Sequence, residues 1–189
     1  MKIDSHVLLA ELTKLVNQHL QKAEELLSLP EDTLNQMPGP KSWSTLECLE
    51  HMNLYGDYYI PEMRRRIEQS RHSPAPSYQP GWFGNWFANM MQPKEKLNKM
   101  KTFKSKDPSG SELDKRVVER FIDQQKELLT VLKQADNANL GQVRVPMTIP
   151  FIKVKLGDTL RFVINHNERH MRQIDRALKS LTCTYVETA

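Results

Sequence analysis

The sequence DTLRFVINHNERHMRQIDRALKS, residues 158–180, decides the fold class of this protein. Its core-type residues recur every three or four positions, which is the spacing of one face of an α-helix. Together with the residue one position past the stretch, this face consists of Leu160, Val163, Asn167, His170, Ile174, Ala177 and Leu181. The stretch therefore predicts a long helix with one buried face, beginning near Asp158 as its N-terminal cap.

Three segments upstream show the same helical spacing. They predict helices over residues 5–28, 44–71 and 111–135, with a short helical turn over residues 31–36. The second of these helices opens with a capping box, in which Ser44 caps the helix and Glu47 reaches back to the Ser44 amide. Four amphipathic helices predict an all-α fold, a four-helix bundle, formed by a single domain over residues 1–189.

Two of the connections have a distinct composition. The second connection, residues 73–93, is long and rich in proline, glycine and aromatic residues. Its four large rings are expected to be buried, either in the core or as a lid over a site, and we also expect that they could form a homodimer interface. These rings are Trp82, Phe83, Trp86 and Phe87. Before the last helix, residues 139–155 carry two prolines in a short extended segment, which predicts a small hairpin.

Charge and hydropathy exclude several classes of protein. The 27 Lys and Arg against 23 Asp and Glu give a net charge of only +4, and the basic runs at residues 64–66 and 94–106 lack interleaved aromatic residues. We therefore expect solvated faces and no nucleic-acid partner. The N-terminal residues do not have the pattern of a signal peptide, and no segment has the roughly 18 apolar residues that cross a membrane. Since Cys48 and Cys183 form no disulfide framework, we expect a cytoplasmic protein with no membrane partner.

The histidines are the candidate site residues. His166 and His170 are four residues apart, so both imidazoles lie on one helix face and could point at a single ion. His170 falls on the predicted inner face, where a buried imidazole needs a hydrogen-bond partner or a metal. The third ligand would come from another helix, with His51 as the first candidate and His19 as the next. The alternative is a pair of histidines on a solvated helix face.

Two motifs give the sequence a resemblance to a known family. WSTLECLEH (residues 43–51) and HNERH (residues 166–170), within LGDTLRFVINHNERHMRQI (residues 156–174), resemble the DinB-like superfamily. That superfamily includes the YfiT-like metal-dependent hydrolases and the bacillithiol and mycothiol S-transferases. The resemblance spans most of the chain and implies a four-helix bundle that holds a divalent metal with three histidines, here His51, His166 and His170. Zinc or nickel is the expected metal, with iron and manganese as further options.

A three-histidine site has a defined chemistry. Three imidazoles on one side of an ion leave coordination positions free, as in catalytic sites. An open divalent ion lowers the pKa of a bound water or thiol toward neutrality. The resemblance favours an S-transferase, in which a low-molecular-weight thiol attacks a small electrophilic substrate, although hydrolysis would use the same residues. The alternative function is a bundle without catalysis that acts as a binding or stress-associated interaction protein.

Other residues have weaker predicted roles at this site. Tyr55, one turn after His51, could line the pocket or donate to a leaving group, and core packing is its alternative role. Asn167 and Gln173 could each hold a ligand histidine or a polar group of the substrate.

The remaining polar and aromatic candidates have simpler interpretations. Glu47 could orient His51, although its capping role already explains it. Trp82 and Trp86 could cover the site, with core packing as the alternative. We expect Arg169 to be a surface charge and Cys48 to be a core residue and not a nucleophile.

Overall fold

The computed structural model describes residues 2–92 and 102–187, and for residues 182–187 it describes the backbone alone. Within these ranges the chain forms the helices α1 Ser5–Leu27, α2 Glu31–Asn35, α3 Thr45–Glu68, α4 Trp82–Met91, α5 Arg116–Ala135 and α6 Leu156–Glu187. It also forms the strands β1 Ile3–Asp4, β2 Ser77–Tyr78, β3 Arg144–Pro146 and β4 Lys153–Lys155 and one 3-10 turn, Lys104–Lys106. The predicted all-α class is confirmed, since the two antiparallel sheets β1–β2 and β3–β4 have only two short strands each.

The four long helices bury their apolar faces against one another. Helix α1 packs on α5 and α6, and α3 packs on the same two helices from the other side. All seven residues of the predicted inner face of α6 are buried, from Leu160 at one end to Leu181 at the other. The helical spacing of the sequence therefore identifies the buried face correctly, because a 3.6-residue period fixes which side chains share a side.

The helix ends agree with the sequence in part. The capping box at the start of α3 is confirmed, because the Ser44 amide donates to Glu47 Oε2 at 2.9 Å and the Glu47 amide donates to Ser44 Oγ at 3.1 Å. Helix α3 ends at Glu68, three residues before the predicted end. Helix α5 begins at Arg116 and not at residue 111, because the Asp114 carboxylate accepts from the Arg116 amide at 2.9 Å just before the first turn.

Asp158 is not the cap of the last helix. Helix α6 begins at Leu156, directly after β4, so Asp158 lies inside its first turn. Its fully buried carboxylate accepts from the Gly81 amide at 2.8 Å and from the Tyr78 hydroxyl at 3.4 Å. The prediction of a cap is wrong because this carboxylate hydrogen-bonds to the second connection and holds it against α6.

The second connection folds into helix α4, and this changes the burial of its rings. The side of α4 that faces α6 carries Gly84, Ala88 and Met91, so the tryptophans lie on the opposite side. Trp82 is 87% exposed and Trp86 is 54% exposed, so the prediction that they are buried is wrong. Phe83 and Phe87 are half-buried, and the homodimer through this segment stays a prediction.

The other connections and charged runs follow the sequence more closely. The predicted hairpin is confirmed as β3–β4, in which Val145 pairs with Val154. The arginines of residues 64–66 pair with Glu62 and Glu127, while residues 94–101 of the second basic run lie outside the described residues. Among the described residues, none of the helices has the length and hydropathy that a membrane span requires.

Cys48 is a core residue, as predicted. Its side chain is fully buried, and burial raises the pKa of its thiol to about 12. A thiol that stays protonated at neutral pH is a poor nucleophile. The side chain of Cys183 lies outside the described residues.

Candidate metal centre

Three histidines from two helices converge inside the fold. His51 comes from α3, and His166 and His170 come from α6, which packs against α3. The three ring centroids form a nearly equilateral triangle with sides of 5.0, 4.7 and 4.6 Å. Each side chain offers one nitrogen, and these nitrogens lie within 4.8 Å of one another. The solvated-face alternative is wrong, because the three residues are only 4–8% exposed.

Hydrogen bonds at the far nitrogen of two rings set their orientation. His51 Nδ1 donates to the Lys106 carbonyl oxygen at 2.6 Å, and His170 Nδ1 donates to Gln173 Oε1 at 3.1 Å. Because a neutral imidazole carries a single N–H, the Nε2 atom of each ring is left with its lone pair. Such outer hydrogen bonds hold metal-binding histidines in the ligating tautomer.

Burial keeps the three imidazoles neutral. It lowers the pKa of His170 to about 3 and the pKa of His166 well below its usual value, and neighbouring histidines and the Arg169 charge lower both further. Burial also lowers the pKa of His51, and its hydrogen bond to the Lys106 carbonyl opposes part of this shift. A hydrogen bond with the Asn167 side chain acts in the same opposing direction on His166. Neutral imidazole is the form that binds metals.

The spacing of two of the three nitrogens fits a metal ion. His51 Nε2 and His166 Nε2 are 3.1 Å apart. Because a Zn–N bond is about 2.0–2.1 Å long, two nitrogen ligands at about 95–100° around one ion are also about 3.1 Å apart. Three buried, neutral and convergent imidazoles can therefore bind a divalent metal, and an all-nitrogen donor set suits zinc or nickel better than manganese.

Aromatic rings enclose the cluster. The ring of Trp43 lies 4.7 Å from that of His51 and 6.0 Å from that of His170. The ring of Tyr55 lies 5.1 Å from that of His51 and 4.7 Å from that of His166. Burial raises the pKa of the Tyr55 hydroxyl to about 12, so this group is a proton donor at neutral pH. Among residues 2–92 and 102–187, the Tyr55 hydroxyl has no hydrogen-bond partner.

Several sequence interpretations are corrected at this site. Glu47 does not hold His51, because its two carboxylate oxygens accept from the amides of Ser44 and Gly110. His19 is not a third ligand, because it pairs with Glu168 at 3.0 Å outside the cluster. Arg169 is not a surface charge: it is only 8% exposed.

Trp82 and Trp86 do not pack in the core, so the core-packing interpretation is wrong for both side chains. The described rings around the three imidazoles belong to Trp43, Tyr55 and Phe162. Neither tryptophan of α4 contacts an imidazole in that part of the chain. A cover over the site formed by these two side chains is therefore not seen in the described residues.

Lys106 is the contact that sequence reasoning missed. Lys106 lies in the 3-10 turn Lys104–Lys106, within the basic run for which the sequence predicts a solvated face. Its contact with His51 is made by the backbone carbonyl, which every residue type has, so no residue pattern could indicate it. Trp43, the aromatic neighbour of the cluster, lies in the motif WSTLECLEH. A tryptophan just before the capping box is the sequence pattern that could indicate such a neighbour.

The fold and the site define a class: a helical protein with a buried three-histidine cluster able to hold a divalent ion. A family model of the DinB superfamily matches residues 15–174, so the chain belongs to the DinB superfamily. No curated protein and no solved structure matches the chain.

Proposed function

We propose that this protein is a metal-dependent thiol S-transferase. It would use a zinc or nickel ion on His51, His166 and His170 to transfer a low-molecular-weight thiol to a small electrophilic substrate. The four long helices would be the four-helix bundle that carries this site. The observation that carries the proposal is the convergence of three neutral imidazoles, two of which have Nδ1 fixed by an acceptor. Family membership supports a metal-dependent protein of this kind.

The choice of a thiol over water follows from the groups around the cluster. Activation of water is the harder task, since the pKa of bulk water is 15.7 and that of a thiol is about 8.5. In the described residues the cluster of potential ligands contains histidines alone and no carboxylate. Glu47, the carboxylate one turn before His51, is occupied by two backbone amides. A site without an evident general base is better suited to the more acidic nucleophile.

A bound divalent ion would supply Lewis acidity that lowers the pKa of the thiol. The sulfur forms a bond to the electrophilic carbon while the bond from that carbon to the leaving group breaks. The leaving group takes the electron pair together with a proton. Overall, the thiol proton ends on the leaving group, so atoms and charge balance.

The chain contributes orientation and a proton. The Lys106 carbonyl and Gln173 Oε1 hold two rings with Nε2 toward the site, and the neighbouring Asn167 side chain raises the pKa of His166. Tyr55 carries a protonated hydroxyl beside two of the imidazoles. We propose that Tyr55 donates to the leaving group and then recovers a proton from solvent, and that Asn167 acts by positioning His166.

A thiol-transfer assay tests the proposal. Zinc-loaded and nickel-loaded protein would be incubated with glutathione, cysteine or mercaptoacetate and with dinitrophenyl phenyl ether, a chromogenic electrophile whose phenolate leaving group takes up a proton. We expect thioether formation that is lost with a chelator and in His170→Gln, and that is retained in His72→Gln, which changes an exposed histidine. Tyr55→Phe should keep the metal and lower kcat about 10²-fold or more, because it removes a general acid.

The non-catalytic alternative makes the opposite prediction. If loaded protein forms no thioether with any of these thiols, and release of a leaving group by water is also absent, the S-transferase proposal is wrong. Leaving-group release without thiol, at the same rate as with thiol, would instead identify a hydrolase.

A further inference from the structure

Lys106 places a positive charge at the edge of the three-histidine cluster. Its Nζ lies 5.6 Å from the centroid of the Tyr55 ring and donates to the Leu54 carbonyl oxygen. The same residue accepts from His51 Nδ1 through its backbone carbonyl. The Tyr55 ring itself packs on His51 and His166, and the Lys106 charge lowers the pKa of His51, so the ammonium group lies close to the cluster.

This ammonium group has unused hydrogen-bonding capacity. An ammonium group has three donors, and the Leu54 carbonyl takes one of them. In the part of the chain that the structure describes, no carboxylate lies within ion-pair distance of Lys106. The side chain is nevertheless half-buried and not free in solvent. A half-buried cation without an anionic partner of its own is suited to receive an anion from a ligand.

Among the described residues, two further charged groups act on the histidines. Arg169 is a second cation, 8% exposed, and its charge acts on both His166 and His170. The carboxylate that acts on His51 is Asp107. That carboxylate is exposed and already accepts from the Ser109 amide and hydroxyl. A divalent ion on the histidines would add positive charge close to the Lys106 ammonium group, which favours an anionic ligand there.

We infer that the thiol substrate carries a carboxylate and that the Lys106 ammonium group binds this carboxylate. This inference rests on the proposed thiol-transfer function and names its substrate class. The ion pair would hold the acidic end of the thiol beside Tyr55 and direct its sulfur toward the three Nε2 atoms. Lys106 is then a specificity-determining residue, and neutral or cationic thiols of the same size would bind less well. Since the pair is partly exposed, we expect a preference of about two- to fivefold.

Lys106 could instead only fasten its loop to α3 through the Leu54 carbonyl. That role needs a hydrogen-bond donor and not a charge, so a glutamine at this position could fill it. Lys106→Gln therefore separates the two roles, and Lys106→Arg restores the charge. Lys104→Gln is the matched control, because it removes an exposed lysine from the same 3-10 turn.

The test uses three thiols that differ mainly in charge: mercaptoacetate, mercaptoethanol and cysteamine. Their dissociation constants for zinc-loaded protein would be measured by isothermal titration calorimetry. Zinc content and far-ultraviolet circular dichroism of each variant would be measured in parallel, so that a misfolded or metal-depleted variant is recognised. We expect mercaptoacetate to bind about two- to fivefold more tightly than mercaptoethanol, and cysteamine to bind most weakly. The preference should disappear in Lys106→Gln, return in Lys106→Arg and persist in Lys104→Gln.

Two results would overturn the inference while leaving the proposed function intact. One is equal affinity for the three thiols in the wild-type protein, and the other is a charge preference that Lys106→Gln leaves unchanged. If none of the three thiols binds the zinc-loaded protein, the proposed thiol-transfer function fails and this inference fails with it.

Discussion

Acidification is expected to destabilise the metal-free protein, because its buried histidines resist protonation. The pKa of His170 is lowered to about 3 in the fold, and that of His166 is lowered well below its usual value, mainly by burial. In the unfolded chain both imidazoles have the ordinary pKa of about 6.5. The unfolded state therefore binds more protons below this pH. Stability is fully present above about pH 6.5 and is lost as the pH falls below it.

The size of the effect follows from these values. Between about pH 7.5 and about pH 5.5, a histidine that stays neutral when folded and titrates at about 6.5 when unfolded loses about 1.4 kcal/mol of stability. Together, His166 and His170 should lower the free energy of unfolding by about 2.7 kcal/mol over this pH interval. Asp158 acts in the opposite direction, because burial raises its pKa and its protonation favours the folded state.

Urea unfolding at several pH values, in the presence of a chelator, measures this effect. Comparison with His170→Gln isolates the contribution of His170, because Asp158 is present in both proteins and burial, the largest cause of the low His166 pKa, is also common to both. We expect the wild-type protein to lose about 1.4 kcal/mol more than His170→Gln over this interval. Equal pH dependence of the two proteins, or a wild-type protein that becomes more stable on acidification, would refute the reasoning.

Three further predictions concern single substitutions and do not involve pH. Gly84→Ala should destabilise the protein by about 1–3 kcal/mol in thermal unfolding, because the new Cβ would lie 2.6 Å from Asp158 Oδ2. Gly39→Ala is the control, because its new Cβ would meet only one side-chain oxygen, at 3.6 Å. Gln173→Ala should weaken zinc affinity about 10- to 100-fold in a competition titration, since the His170 ring loses its acceptor. Trp82→Ser should change stability by less than about 0.5 kcal/mol, because the ring is 87% exposed, and should shift the predicted homodimer toward monomer in light scattering.

The sequence predicts the parts of this fold that depend on local periodicity. The inner face of α6 and the capping box of α3 are correct because each depends on spacing within a few residues. The two motifs and the family resemblance predict that His51, His166 and His170 share one site. In the structure the three side chains lie together.

The failures have a common physical origin in tertiary contacts. Trp82 is exposed because the close contact between Gly84 and Asp158 determines which side of α4 packs against α6. Hydropathy alone does not indicate such a contact. Asp158 looked like a cap because its partners, Gly81 and Tyr78, lie about 80 residues away. Lys106 was missed because its contact with His51 uses the backbone, which the sequence does not distinguish.

Metal analysis of freshly purified protein tests the central claim most directly. Mass spectrometry of the wild-type protein, of His51→Ala, His166→Ala and His170→Ala, and of the control His72→Ala would give the metal content per chain. The account predicts about one zinc or nickel ion per chain in the wild type and in His72→Ala, and loss of that ion in each of the other three variants. A wild-type protein that binds no divalent ion even when zinc or nickel is supplied, or a cluster variant that retains its ion in full, would contradict it.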